Sequence, residues 1–218
     1  NGSKIWSRLF RSGMSTSDDF ATSVLVAGLG EDSVLYPPGV YVSGASSGNF
    51  EGRVNAGGYD SFLLRVDPET GDKSGVPLLI GNSGSEQSVG LARFGSLVLL
   101  ERTTSDVRLT KILAGSDFVQ LSPSALIGSG STLGSAIAST PLGGVDPGAL
   151  YVVGATKELT YGANQGGDDA FVVRLNSAFN KNWSKTFGGA STDIATSVAV
   201  DFSGNVYIVG YTNGEFQG

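Results

Sequence analysis

Two groups of residues have types and spacings that could do chemistry. The first is acidic. Asp60 and Asp169 precede matching apolar segments, while Asp18, Asp19 and Asp193 stand in another set of matching loops. Carboxylates in glycine-rich loops suit a hard cation, calcium above all, which makes Asp19 and Asp193 candidate metal ligands. No loop has the Asp-x-Asp-x-Asp-Gly spacing of a calcium loop. An aspartate in such a loop also caps its own turn by accepting backbone N–H groups, and recurrence favours that structural role. The second group is aromatic. Phe50 in Gly48-Asn-Phe-Glu-Gly52 matches Phe216 in Gly214-Glu-Phe-Gln-Gly218, and Tyr161 falls in the corresponding loop. On an exposed loop face these rings would bind a ligand, stacking on a sugar or anchoring a protein. Their other role is to plug the gap between neighbouring sheets.

The rest of the composition narrows the chemistry. The 218 residues include neither histidine nor cysteine. That excludes Ser-His-Asp and Cys-His nucleophile systems, thiolate and imidazole metal sites, and disulfides. A general base near neutral pH would have to be a strongly shifted Glu, Lys or Tyr. No catalytic residue is assigned, and an enzyme is the less favoured reading. No cofactor other than calcium is implied. The net charge of −6 leaves no basic stripe for nucleic acid. The longest strong apolar run, Leu97 to Leu100, is far short of a membrane-spanning helix. Residues 1–6 do not have the pattern of a signal peptide.

The elements that position these residues are read from internal repetition. Asn55-Ala-Gly-Gly-Tyr-Asp-Ser-Phe-Leu-Leu-Arg-Val-Asp67 aligns without gaps on Asn164-Gln-Gly-Gly-Asp-Asp-Ala-Phe-Val-Val-Arg-Leu-Asn176. Val40-Tyr-Val-Ser-Gly-Ala45 recurs as Leu150-Tyr-Val-Val-Gly-Ala155 and as Val206-Tyr-Ile-Val-Gly-Tyr211. Trp6-Ser-Arg-Leu-Phe10 returns as Trp183-Ser-Lys-Thr-Phe187, and Asp19-Phe-Ala-Thr-Ser-Val24 as Asp193-Ile-Ala-Thr-Ser-Val198. Tyr41 and Tyr151 are 110 residues apart and Tyr151 and Tyr207 are 56 apart, so the unit is about 55 residues. Four units follow, near 1–73, 74–117, 118–180 and 181–218, the second of them degenerate.

Each unit holds four short segments rich in Val, Ile, Tyr, Phe and Thr, bounded by Gly, Asn, Asp or Pro, as strands are. Asp201-Phe-Ser-Gly-Asn205 and Asp67-Pro-Glu-Thr-Gly71 read as hairpin turns. Along Val206–Tyr211 both faces of the strand are apolar, so both are expected to be covered. No helical pattern intervenes, so sheets must cover sheets. The expected fold is all-β: a β-propeller of four-stranded antiparallel blades, about four repeats, whole or part of a larger propeller. Trp6 and Trp183 are expected as wedges between blades, and Arg65 and Arg174 in blade-to-blade ion pairs.

The wording of 183–212, together with Gly166-Gly-Asp-Asp-Ala-Phe-Val-Val-Arg-Leu175, resembles the bacterial SBBP β-propeller repeat. The resemblance is weak across 74–148. It implies a propeller fold and export, and it transfers no catalytic residue; the Ser-x-Asp-x-Gly-x-x-Trp box of sialidase-type propellers is absent. The expected function is a non-catalytic structural or interaction module of an extracellular or cell-surface assembly, with a protein or glycan partner at a loop face. The alternative is a propeller that binds or processes carbohydrate. The fourth unit stops before its Gly-Gly-x-Asp-x-Phe strand, so the chain is expected to belong to a longer one.

Overall fold

The computed structural model describes residues 3–13, 16–28, 36–114, 118–158 and 161–215. Among them there is no helix, and the ordered elements are fourteen strands in four antiparallel sheets. The first sheet is β1 (Asp19–Ala27), β2 (Gly39–Ser46), β3 (Asp60–Val66) and β4 (Leu78–Ile80). The second is β5 (Gln87–Arg93), β6 (Leu97–Arg102), β7 (Asp106–Ala114) and β8 (Phe118–Ser129). The third is β9 (Leu133–Ser139), β10 (Leu150–Thr156), β11 (Asp169–Leu175) and β12 (Lys181–Phe187). The fourth has two strands, β13 (Asp193–Val200) and β14 (Val206–Thr212). Each sheet is a meander of consecutive strands, an arrangement consistent with propeller-like blades.

Sequence unit and sheet are offset by one strand. The segment that opens each later unit forms the outermost strand of the sheet before it: β4, β8 and β12. Trp183 therefore sits on the outer strand of the third sheet and is 39% exposed, tilted against Tyr151 at 6.0 Å. It is not the interior wedge that its type suggests, because it borders an open cleft toward Val206 and Ile208 of β14 instead of packing against them. Trp6 does pack, beside Phe50, Phe62 and Leu64, and its Nε1 donates to Pro68 O at 2.9 Å.

Alternating side chains bind each sheet to the next. In β6, Leu97 and Leu99 join Tyr41, Leu63 and Leu91 between the first and second sheets. Val98 and Leu100 turn the other way, to Val152, Phe171 and Val173 of the third. In β10, Tyr151 and Val153 meet Ala195 and Ile208 of the fourth. Each such buried aliphatic side chain contributes about 1.5–3 kcal/mol. Both faces of β10 are buried along its whole length. On β14 only one face is covered, by the third sheet; Tyr207, Val209 and Tyr211 on the other are 57%, 61% and 54% exposed.

All four sheets share one irregularity. The first strand bulges at Thr22, Val89, Ser135 and Thr196, between the paired residues on either side. In three sheets the bulge lies against a glycine of the second strand. A Cβ on Gly44, Gly154 or Gly210 would sit 2.0, 1.8 and 2.0 Å from the carbonyl oxygens of Phe20, Leu133 and Ile194. The recurring Tyr-x-x-Gly is thus a close approach of two backbones. In the degenerate sheet the equivalent residue is Glu101, opposite Ser88. It is wholly buried, accepts a hydrogen bond from Thr110 Oγ1 and has Arg108 Nε 3.8 Å away. Burial is the largest influence on its carboxyl and pushes its pKa above the ordinary 4.5.

The turns follow the sequence. Asp201 Oδ1 accepts the N–H groups of Ser203 and Asn205, and Gly204 takes a φ of +81°. Asp67 Oδ1 accepts those of Glu69 and Thr70, which lowers its pKa, and Gly71 takes +73°.

Two outcomes follow from this packing. Gly154→Ala forces apart backbone atoms that cannot yield as a side chain would, and is expected to cost about 3 kcal/mol in urea unfolding. Glu101→Gln removes a group whose raised pKa penalises folding as pH rises above 4.5. At pH 7 it should raise Tm by about 2–4 °C, an advantage that disappears below the ordinary carboxyl pKa in a pH series of thermal melts.

Candidate functional site

The loops that carry the acidic and aromatic candidates lie at the starts of the first and third strands. Asp19 Oδ2 accepts from Ser12 N at 2.7 Å and Ser12 Oγ at 2.8 Å, and Asp193 Oδ2 accepts from Gly189 N at 2.9 Å. Asp60 and Asp169 do the same for Ala56 N and Gln165 N, each at 2.7 Å. Each carboxylate thus closes its own loop, the expected turn-capping geometry. In each of the four, the Oδ1 atom is buried without a hydrogen-bond partner. Among the described residues no group of three acidic side chains gathers as a metal cage.

The aromatic candidates lie inside the sheets. Phe50 is 1% exposed and stacks on Phe62 at 4.3 Å; Tyr161 is 3% exposed and stacks on Phe171 at 4.7 Å. Phe62 and Phe171 are the matching third-strand phenylalanines, so the two loop rings are equivalent plugs, with no free face for a sugar or a protein. Burial drives the Tyr161 hydroxyl up to about 12, and its oxygen has no hydrogen-bond partner. Phe216 lies outside the described residues.

Both repeat arginines meet the second-strand tyrosine of their own sheet, and Arg174 pairs there rather than between blades. Arg174 stands opposite Tyr151, reaches its hydroxyl, and pairs with Asp146 of the β9–β10 connection. Arg65 stands opposite Tyr41 and likewise reaches its hydroxyl. Registry explains this: second-strand Tyr and third-strand Arg are cross-strand neighbours, close enough to pair directly.

The fourth sheet presents what the others conceal. Tyr207, the counterpart of Tyr41 and Tyr151, donates to Asp201 Oδ2 at 3.0 Å. Asp201 is held below the usual carboxylate range, first by the Asn205 side chain and then by backbone and Tyr207 hydrogen bonds. A charged carboxylate and a tyrosine therefore stand beside the position where the first and third sheets place an arginine. Beside β14 an open apolar cleft of about 530 Å³ is lined by Ala170, Phe187, Ile194, Ile208 and Tyr211. A second, of about 490 Å³, runs between Val172, Trp183 and Phe187 on one side and Val206 and Ile208 on the other. Both continue the apolar layer that joins the third and fourth sheets. This edge is the place where the repeat pattern expects the Gly-Gly-x-Asp-x-Phe strand of the fourth unit.

Residues 182–217 match the SBBP beta-propeller repeat family. The matched stretch runs from β12 through β14, so one SBBP repeat straddles two sheets. Its Trp belongs to the outer strand of one, and its Asp-x-Ala-Thr-Ser and Tyr-x-x-Gly segments to the bulged pair of the next. No curated protein matches the chain. No helix among the described residues is long and apolar enough to cross a membrane.

The buried plug gives a prediction of opposite signs. Tyr161→Phe removes an unpartnered buried hydroxyl and should stabilise the chain by about 1 kcal/mol. Tyr161→Ala empties the plug and should cost about 3–5 kcal/mol, both read from urea denaturation.

Proposed function

We propose that this chain is a non-catalytic β-propeller module, its sheets the blades, acting as a structural and interaction part of an extracellular or cell-surface assembly. The open edge of β14 takes up a strand bearing the repeat's own Gly-Gly-x-Asp-x-Phe-x-x-Arg pattern. The observation that carries this reading is the Tyr207–Asp201 pair on the open edge of β14, set against the arginine-bound Tyr41 and Tyr151 of complete sheets. An unpaired edge strand offers a row of backbone donors and acceptors, and strand addition satisfies them. The adjoining clefts would receive the strand's apolar side chains, as the second sheet receives Phe171 and Val173 of the third. The exported setting rests on the likeness to SBBP repeats. With Phe50 and Tyr161 buried, the interaction surface moves from the loop aromatics to this edge, and no observation favours a sugar site.

A fluorescent peptide with the sequence of residues 164–176 tests the reading by anisotropy. It should bind in trans, and changing its arginine to alanine should weaken binding about tenfold, the loss expected for one charge-assisted contact. Asp201→Asn in the protein should produce a similar loss. Equal binding of a scrambled peptide, or none by the native one, would remove the proposal.

A further inference from the structure

The junctions between sheets carry a feature that neither blade completion nor turn capping uses. At the third-to-fourth junction, Asp169 at the start of β11 and Asp193 at the start of β13 are both fully buried. They approach each other across Gly188. A Cβ on that glycine would lie 2.5 Å from Asp169 Oδ1 and 2.7 Å from Asp193 Oδ2. Backbone ties hold the two loops together, Asp193 N donating to Asp168 O at 2.6 Å. Each carboxylate receives one backbone N–H on Oδ2, and its Oδ1 is buried with no hydrogen-bond partner; Asp169 turns that Oδ1 toward Gly188, Asp193 its Oδ2. Two buried acidic groups against one glycine are costly unless positive charge compensates them.

The first-to-second junction repeats the arrangement. Asp60 at the start of β3 and Glu86 just before β5 are 1% and 2% exposed. A Cβ on Gly81, the counterpart of Gly188, would lie 1.9 Å from Asp60 Oδ1. Here Arg108 Nη2 stands 4.0 Å from Glu86 Oε1 and supplies part of the compensation. At the second-to-third junction the equivalent positions are Asp106 and Thr132, so only one acid remains, and Thr132 bonds Thr156 instead. The paired acids thus occur where a glycine leaves room between them, and the pair without an arginine is Asp169 and Asp193.

We propose that Asp169 and Asp193 bind one calcium-class cation at the junction of the third and fourth sheets, the two carboxylates acting from adjacent blades as a clamp. A hard cation takes oxygen ligands, and two carboxylates leave the remaining positions to backbone carbonyls and water. A site with so few charged ligands belongs with the weak calcium modules, at a Kd of about 10⁻⁴–10⁻³ M. Asp193 is one of the two aspartates singled out from the sequence; its partner is Asp169 rather than Asp19. The clamp is independent of strand addition at β14, since both acids belong to strands already paired.

Calcium itself is the probe, used on the intact 218-residue chain after dialysis against a chelator. Calorimetric titration should show about one equivalent bound in that affinity range. Calcium at about ten times the Kd should raise Tm by about 2–5 °C over potassium chloride of equal ionic strength. Asp169→Asn and Asp193→Asn, each first checked for native circular dichroism, should lose the uptake and the shift, while Asp106→Asn keeps both. The wild-type titration needs no variant to fold, so it decides by itself if both asparagine variants unfold. No uptake by the wild-type chain overturns the proposal, as does uptake undiminished in a folded Asp169→Asn or Asp193→Asn variant.

Discussion

The structure depends on the fact that its central strands are apolar on both faces. A sheet with two apolar faces is stable only when something covers each, and with no helix among the described residues that cover has to be another sheet. Leu97 and Leu99 of β6 face one neighbour while Val98 and Leu100 face the other, and β10 behaves alike. No sheet is therefore an independent unit. The second and third sheets each contribute half of two hydrophobic layers between sheets, and stability is built up junction by junction, as in other repeat proteins. The ends of such a row are special. Trp6 and Phe10 cover the outer face of the first sheet, whereas the outer face of the fourth is bare.

The shared bulge shows how a backbone requirement writes itself into sequence. An extra residue in the first strand presses its chain against the second, and only glycine tolerates the approach at Gly44, Gly154 and Gly210. Thr22 uses the displacement: its hydroxyl donates to Ser88 O of the next sheet at 2.8 Å, tying the first two sheets together. The degenerate second sheet keeps the bulge without the glycine. Glu101 fills the place, and Arg108, Thr110 and Glu86 around it form a polar cluster. That substitution helps explain why the second repeat could scarcely be recognised from sequence while its strands pair as regularly as the rest.

Much of this was legible in advance. Strand positions, the turns at Asp67 and Asp201, the recurrence of four units and the capping aspartates all follow from local chemistry, namely β-branched alternation, Asx hydrogen bonds and glycine at positive φ. The misplacements share one cause. A repeat in sequence has no marked beginning, and the Trp segment that opens the sequence unit at 181 closes the sheet before it. Trp183 was then expected inside, and Arg174 was expected to bridge blades when its partners are in its own sheet. The candidate site was legible as residue types only. Phe50 and Tyr161 were rightly paired as equivalents, but whether their rings faced solvent or Phe62 and Phe171 depended on how each loop folds back over its strand.

The sequence by itself determined which segments pair, which residues repeat and which chemistries are absent, because these depend on neighbours a few residues away and on composition. The tertiary structure alone decided which carboxylates meet and which edge stays open. Asp169 and Asp193 are 24 residues apart and belong to different sheets; only stacking brings them to the two sides of Gly188. The absence of histidine and cysteine excluded whole classes of site. The positions of the remaining acids and tyrosines were then set by which sheet faces had to be buried.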